Sequence, residues 1–215
     1  MCFSQEASIQ SFLCGIISPI LCIALNKPTD KIIGYLFGFV SLMQGIEWLL
    51  WKHQKCDSYN KDLSKLGMIF NHLQPIMFGV IILLINKNVD KEKIIGIICL
   101  YLCIIVPYSI KFLKDEKTHC TIKNENTNHL LWHWNSMNDN TMAYSVFLVT
   151  FCYISLVGIP KFENGVIFAI IIAMSFYSSS IFYNHQNVGA LWCYYAAYFP
   201  LIYFIMRKSG VEIHD

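Results

Sequence analysis

Apolar residues gather in seven long runs along the chain, at 7–25, 32–51, 66–85, 94–113, 142–159, 166–183 and 188–206. Each run approaches the ~20 residues that a helix needs to cross a hydrocarbon core about 30 Å thick. The breaks between them are polar: NKPTDK, a Lys-rich stretch over 52–65, NKNVDKEK, a long stretch over 114–141, PKFENG and NHQN. The pattern predicts an all-α integral membrane bundle of about seven transmembrane helices, a single transmembrane domain over 1–215. NHQN is the weakest break. Because NHQNVG is short and uncharged, the last two runs also fit a tight helical hairpin or a partly re-entrant segment, with six spans as the alternative. The segment HLLWHW at 129–134 reads either as an aromatic anchor in the membrane interface or as an early start of the fifth helix, and the interface is preferred.

Composition strengthens this picture. With 55% apolar, 15% aromatic and 14% charged residues, the chain lacks the charge that a water-exposed surface needs, and the lipid bilayer is its expected partner. The net charge of +2 is spread over the breaks without a basic run, which argues against a nucleic-acid partner. The first run follows MCFSQE, which has no Lys or Arg, so it reads as a retained helix rather than a cleaved signal. Lys and Arg divide equally between the two faces of a seven-span bundle. The absence of a basic residue before the first run, with Lys27 and Lys31 after it, places the amino terminus outside and the carboxy terminus in the cytoplasm.

Individual runs carry finer patterns. Gly34, Gly38, Ser41 and Gly45 put a strip of small residues on one face of the second run, suited to packing against another helix. Gln44, Glu47, Trp48 and Trp51 mark a different side of it. Pro107 and Pro200 predict kinks in the fourth and seventh runs.

Ionisable groups inside spans cost several kcal/mol by insertion scales and usually face a partner or cavity. Glu47, near the end of the second run, and His72, near the start of the third, sit at one membrane face, so an ion pair or shared hydrogen bond is feasible. They are the candidate catalytic or proton-relay pair, with a polar clamp between helices as the plainer alternative. Gln44, Asn71 and Gln74 add amides at similar depth, and Trp192 is the aromatic candidate for the same polar cavity.

In the seven-span arrangement His53, His119, His129, His133 and His185 occupy connections on that face, and His214 lies on the other. His129 and His133 have the i, i+4 spacing that puts two ligands on one helical face, so His129, His133 and His185 form a candidate zinc site; ordinary interfacial residues are the alternative. Cys56 and Cys120 lie in the two long connections on one face and are a candidate disulfide, or two free thiols. Six other cysteines fall inside apolar runs and read as packing residues. Cys2 is a candidate nucleophile, lipidation site or anchor. The seventh run has no Lys for a retinal Schiff base, and phosphate-binding Gly-rich loops and G-x-S-x-G elbows are absent.

MCFSQEAS, GFVSLMQGIEWLLW and GALWCYYAAYFPLIYF resemble an uncharacterised family of small multi-pass membrane proteins beginning Met-Cys-Phe-Ser, best represented in bacteria. That resemblance runs along the whole chain through Gln44, Glu47, Trp51, His129, His133, Trp192 and Cys193. It implies the same span count and a role for Cys2, Phe3 and Ser4, and it implies no activity. NHLQP departs from the family's more apolar third span, which makes any role of His72 peculiar to this chain. H-L-L-W-H also resembles the H-x-x-W-H of seven-helix alkaline ceramidases, which implies zinc-dependent lipid hydrolysis. The match stops there: those enzymes place the paired His in the last helix and a Ser four residues before another His, where this chain has Met68 and Ile181.

Three functions remain in view. A zinc-dependent membrane hydrolase of a lipid or amide would use His129, His133 and His185 with Glu47 as general base. A transporter or channel for a small solute or proton needs a continuous polar path, part of which Ser175, Ser178, Ser179 and Ser180 would line. A structural, partner-binding protein needs only the small-residue strip and aromatic belts.

Overall fold

The computed structural model describes residues 4–114, 119–125, 128–136, 140–183 and 188–210. Seven helices dominate: α1 (Gln5–Ala24), α2 (Pro28–Lys52), α3 (Ser58–Ile85), α4 (Lys91–Lys114), α5 (Asn140–Gly158), α6 (Phe162–Tyr183) and α7 (Val188–Lys208). Between α4 and α5 lie strands β1 (Ile122–Lys123) and β2 (Leu130–Leu131), paired antiparallel, and a 3-10 turn at His133–Ser136. By length and apolar composition α1 to α6 are each long enough to cross a membrane. The NHQN break, His185, Cys2, Phe3 and His214 lie outside the described residues.

Helix ends follow local chemistry. Ser4 caps α1, its Oγ accepting from the Ala7 N–H at 3.1 Å, and Pro28 opens α2 where its missing N–H costs nothing. Asp57 caps α3 by accepting from the Asn60 N–H, so α3 begins well before the apolar run that starts at 66, and much of the Lys-rich break is its first two turns. Asn26, between α1 and α2, takes φ of 70°, the left-handed turn that reverses the chain.

Packing centres on α2, which touches α1, α3 and α7, while α5 joins α4, α6 and α3. The small-residue strip of α2 lies against α1. A Cβ at Gly34 would come 2.8 Å from the Pro19 carbonyl oxygen, one at Gly45 3.1 Å from Phe12, and Ser41 fills the space beside Gly15. Close backbone approach, which only small residues permit, therefore holds α1 to α2. On the other side of α2 the core is aromatic: Phe37, Phe168 and Phe199 cluster, and Phe78 stacks on Phe151 at 5.3 Å. Large apolar side chains remain exposed around the outside, among them Ile17, Ile20, Leu84, Leu100, Val149 and Met174.

Candidate functional site

Close packing of α1 on α2 aligns a buried polar row. The Ser11 hydroxyl donates to Gln44 Oε1 at 2.7 Å, and Gln44 Nε2 donates to Glu47 Oε2 at 2.9 Å. All three residues are fully buried. Three residues apart on α2, Gln44 and Glu47 share a face, so the amide is positioned to solvate the carboxyl group. From α3, Gln74 donates to the Cys193 thiol of α7 at 3.5 Å, and Cys193 in turn lies within electrostatic reach of Glu47. Asn71, one turn from Gln74 on α3, is also buried. Among the described residues Asn71 Nδ2 and Gln74 Oε1 have no hydrogen-bond partner, a cost of about 1–3 kcal/mol each that a bound polar molecule would relieve. Four helices thus link a carboxyl, two amides, a hydroxyl and a thiol, and the third amide, Asn71, is buried one turn from Gln74 on α3.

Two expected members stand elsewhere. His72 does not meet Glu47: its Nδ1 lies 3.0 Å from Ser109 Oγ on α4, and its ring meets Tyr108 edge-on at 5.6 Å. The reason is azimuth. One residue along a helix is a rotation of about 100°, so where Asn71 and Gln74 face inward, His72 faces α4. Trp192 likewise turns from the amides to the α5 aromatics, with ring centroids 5.9 Å from Phe147 and 5.5 Å from Phe151.

The end of the bundle nearest Glu47 is closed by the segment between α4 and α5. Cys120 is disulfide-bonded to Cys56, with Cα atoms 5.5 Å apart. Asn60 of α3 reads the adjoining backbone in both directions, donating to the Thr121 carbonyl and accepting from the Thr121 N–H, each at 2.9 Å. The Ser64 hydroxyl meets Thr121 Oγ1 at 2.8 Å, and the Lys123 N–H donates to Gln54. Trp132 and Trp134 are not interfacial anchors. They are 1% and 0% exposed, 4.2 Å apart between ring centroids, with Trp134 set over Gly67 and against Phe112, and its carbonyl accepts from the Tyr108 hydroxyl. Together these make a covalently tied lid with a tryptophan plug.

That lid also removes the premise of the zinc pair. Leu130–Leu131 is a strand and His133 opens a 3-10 turn, so His129 and His133 do not share one helical face. Burial holds both imidazoles below their ordinary pKa. Among the described residues no three His, Cys, Asp or Glu side chains converge as metal ligands would, and the third candidate, His185, lies outside them.

The chain matches no family model, no curated protein and no solved structure. The residues themselves carry the functional argument.

Sequence reasoning missed five of them: Asp30, Tyr203, Arg207, Asn60 and Ser109. At the opposite end of the bundle Asp30, fully buried, accepts from the Tyr203 hydroxyl at 2.6 Å and from Arg207 Nε at 3.2 Å. Arg207 is the only arginine in the chain, and an isolated Arg among lysines is a usable signal, because its planar fork suits a buried carboxylate better than an ammonium does. Asn60 and Ser109 gave none; a lone Asn or Ser is a common residue until its partner is known.

Proposed function

We propose that this chain is a seven-span integral membrane protein that holds a small polar solute at the Glu47 centre. The observation that carries the reading is the pair of buried unpartnered groups, Asn71 Nδ2 and Gln74 Oε1, one turn apart on α3, the helix that Gln74 joins to the Ser11–Gln44–Glu47 row through Cys193. A ligand offering an acceptor to Asn71 and a donor to Gln74, with Glu47 close by, fits a small neutral or cationic hydrogen-bonding molecule better than an anion. Exposed apolar side chains on α1, α3, α4, α5 and α6 support lipid as the surrounding medium. At 21 residues α7 spans about 31 Å, enough for a seventh crossing. The disulfide supports placing the lid end, which carries the amino terminus of α1, in an oxidising compartment, and Arg207 and Lys208 support a cytoplasmic opposite end.

Cys193 is a built-in reporter for this reading. In a variant with the other free cysteines replaced by alanine, a small cationic methanethiosulfonate applied from the lid side is expected to modify Cys193, and Glu47→Gln is expected to slow that reaction. A native protein whose Cys193 reacts only after denaturation would refute a solute site.

A further inference from the structure

A second pair of side chains, outside the Glu47 centre, has the arrangement of a reactive hydroxyl. Most of the hydrogen-bonded serines in the helices turn back onto their own backbone: Ser8, Ser18, Ser41, Ser64, Ser155 and Ser179 each donate to the carbonyl four residues earlier. That is the usual way for a helix to satisfy a hydroxyl in apolar surroundings. Ser109 departs from it. Its Oγ lies 3.0 Å from His72 Nδ1, across the α3–α4 interface. With the ring proton on Nε2, the hydroxyl proton points at the imidazole lone pair, the relation of a nucleophile to its base.

The surroundings fix that pair and leave one side open. Tyr101 donates to the His72 carbonyl at 3.0 Å, and the Tyr108 ring meets the imidazole edge-on, so His72 is held from α4 at two levels. Gly79 lies against Ile98 and Ile94, which lets α3 and α4 approach. His72 is 8% exposed while Ser109 is half-buried. Ile69, Val106, Ile110 and Leu113, within four residues of the pair along their own helices, are exposed. A molecule reaching Ser109 therefore comes past apolar side chains, as an acyl chain does.

We propose that Ser109 and His72 form a nucleophile–base pair that takes an acyl group from an amphiphilic ester or thioester arriving from the lipid-facing side of α3 and α4. Ser109 Oγ bonds to the carbonyl carbon, the carbon–oxygen or carbon–sulfur bond to the leaving group breaks, and His72 moves the hydroxyl proton to the departing alkoxide or thiolate. Water then cleaves the acyl-serine with His72 again as base, releasing the acid. No metal enters these steps.

A long-tailed alkyl fluorophosphonate tests the pair directly: the serine oxygen bonds to phosphorus, fluoride leaves and the imidazole takes the proton. With the full-length protein in detergent, peptide mapping is expected to find the adduct on Ser109, faster with a dodecyl than with an ethyl probe. Ser109→Ala abolishes it, His72→Gln slows it by about a hundredfold or more, and Ser209→Ala, an exposed serine at the other end, leaves it unchanged. Should His72→Gln fail to fold, heat-denatured wild-type protein replaces it and is expected to lose the adduct. No adduct on Ser109 in native protein, labelling that persists after denaturation, or equal rates in wild type and folded His72→Gln overturns the proposal. The readout does not depend on Cys193, so its failure and that of the solute-site reading are separable.

Discussion

The two ends of the bundle solve one problem, tying distant helices together, by opposite means. At the lid end the clasp is neutral and covalent: Asn60 meets the backbone at Thr121, and Cys56 is bonded to Cys120. At the other end it is a charge, Asp30, held by Tyr203 and Arg207 across 173 and 177 residues of sequence. The neutral clasp fastens a long segment that needs fixing, whereas the charged one joins helices already packed, since α2 and α7 are in direct contact. The lid end should therefore open without unfolding the bundle, and the Asp30 end should not.

The largest expected effect tests that asymmetry at Arg207. Arg207→Met strands a fully buried carboxylate and is expected to cost about 3–5 kcal/mol, seen as a lower thermal midpoint in detergent. Adding Asp30→Asn should recover much of the loss, because no charge is then left buried. A single variant as stable as wild type would mean that Asp30 is not held as an anion by this pair.

Breaking the covalent clasp comes next. Replacing Cys56 and Cys120 with serine removes the closure of a loop with a sequence separation of 64, typically about 2–4 kcal/mol. The loss should appear as faster hydrogen exchange over 119–136, with α1, α2 and α7 unchanged. Equal acceleration in α7 would show that the lid and the bundle open as one unit. Asn60→Ala is smaller, about 1–3 kcal/mol, because it leaves the Thr121 N–H and carbonyl unpaired while the disulfide still holds the segment. Its effect should grow when the disulfide is reduced, since the two fastenings share one strap.

How the sequence revealed these features follows from the range of each signal. Hydropathy reports the medium around a helix, so the seven apolar runs correspond to the seven helices within a few residues at most ends. It is blind where a polar cap carries a helix onward, as Asp57 does for α3. It is blind too where Trp132 and Trp134 fold inward, since an aromatic residue beside a span looks alike whether it meets lipid headgroups or the protein core. Glu47 and its amides were legible because a carboxyl in an apolar run has few explanations. The Glu47–His72 pairing was not, because depth along a helix can be counted from sequence while the facing neighbour cannot. The true partner of His72, Ser109, is 37 residues away on another helix.

The smallest effect separates the two ends by pH. Burial holds His129 and His133 below the ordinary histidine value of about 6.5, so the closed lid takes up protons less readily than the open one. A pH unit or more above about 6.5 both imidazoles are neutral whether the lid is open or closed, and its stability is flat. As pH falls below that value the open state binds protons first, so closure weakens progressively until the lowered values of the folded state are reached. Asp57 acts in a different window. The His53 hydrogen bond holds its carboxyl below the usual carboxylate range, so its contribution persists until pH falls below about 4. Between pH 7 and 5, exchange over 119–136, compared with an unstructured peptide to remove the intrinsic pH dependence, should therefore accelerate through the two histidines. A His129→Gln, His133→Gln double variant should flatten that slope. Protection in 200–208, at the other end of the bundle from the two histidines, should not move, and a parallel loss there would show that the two ends are coupled.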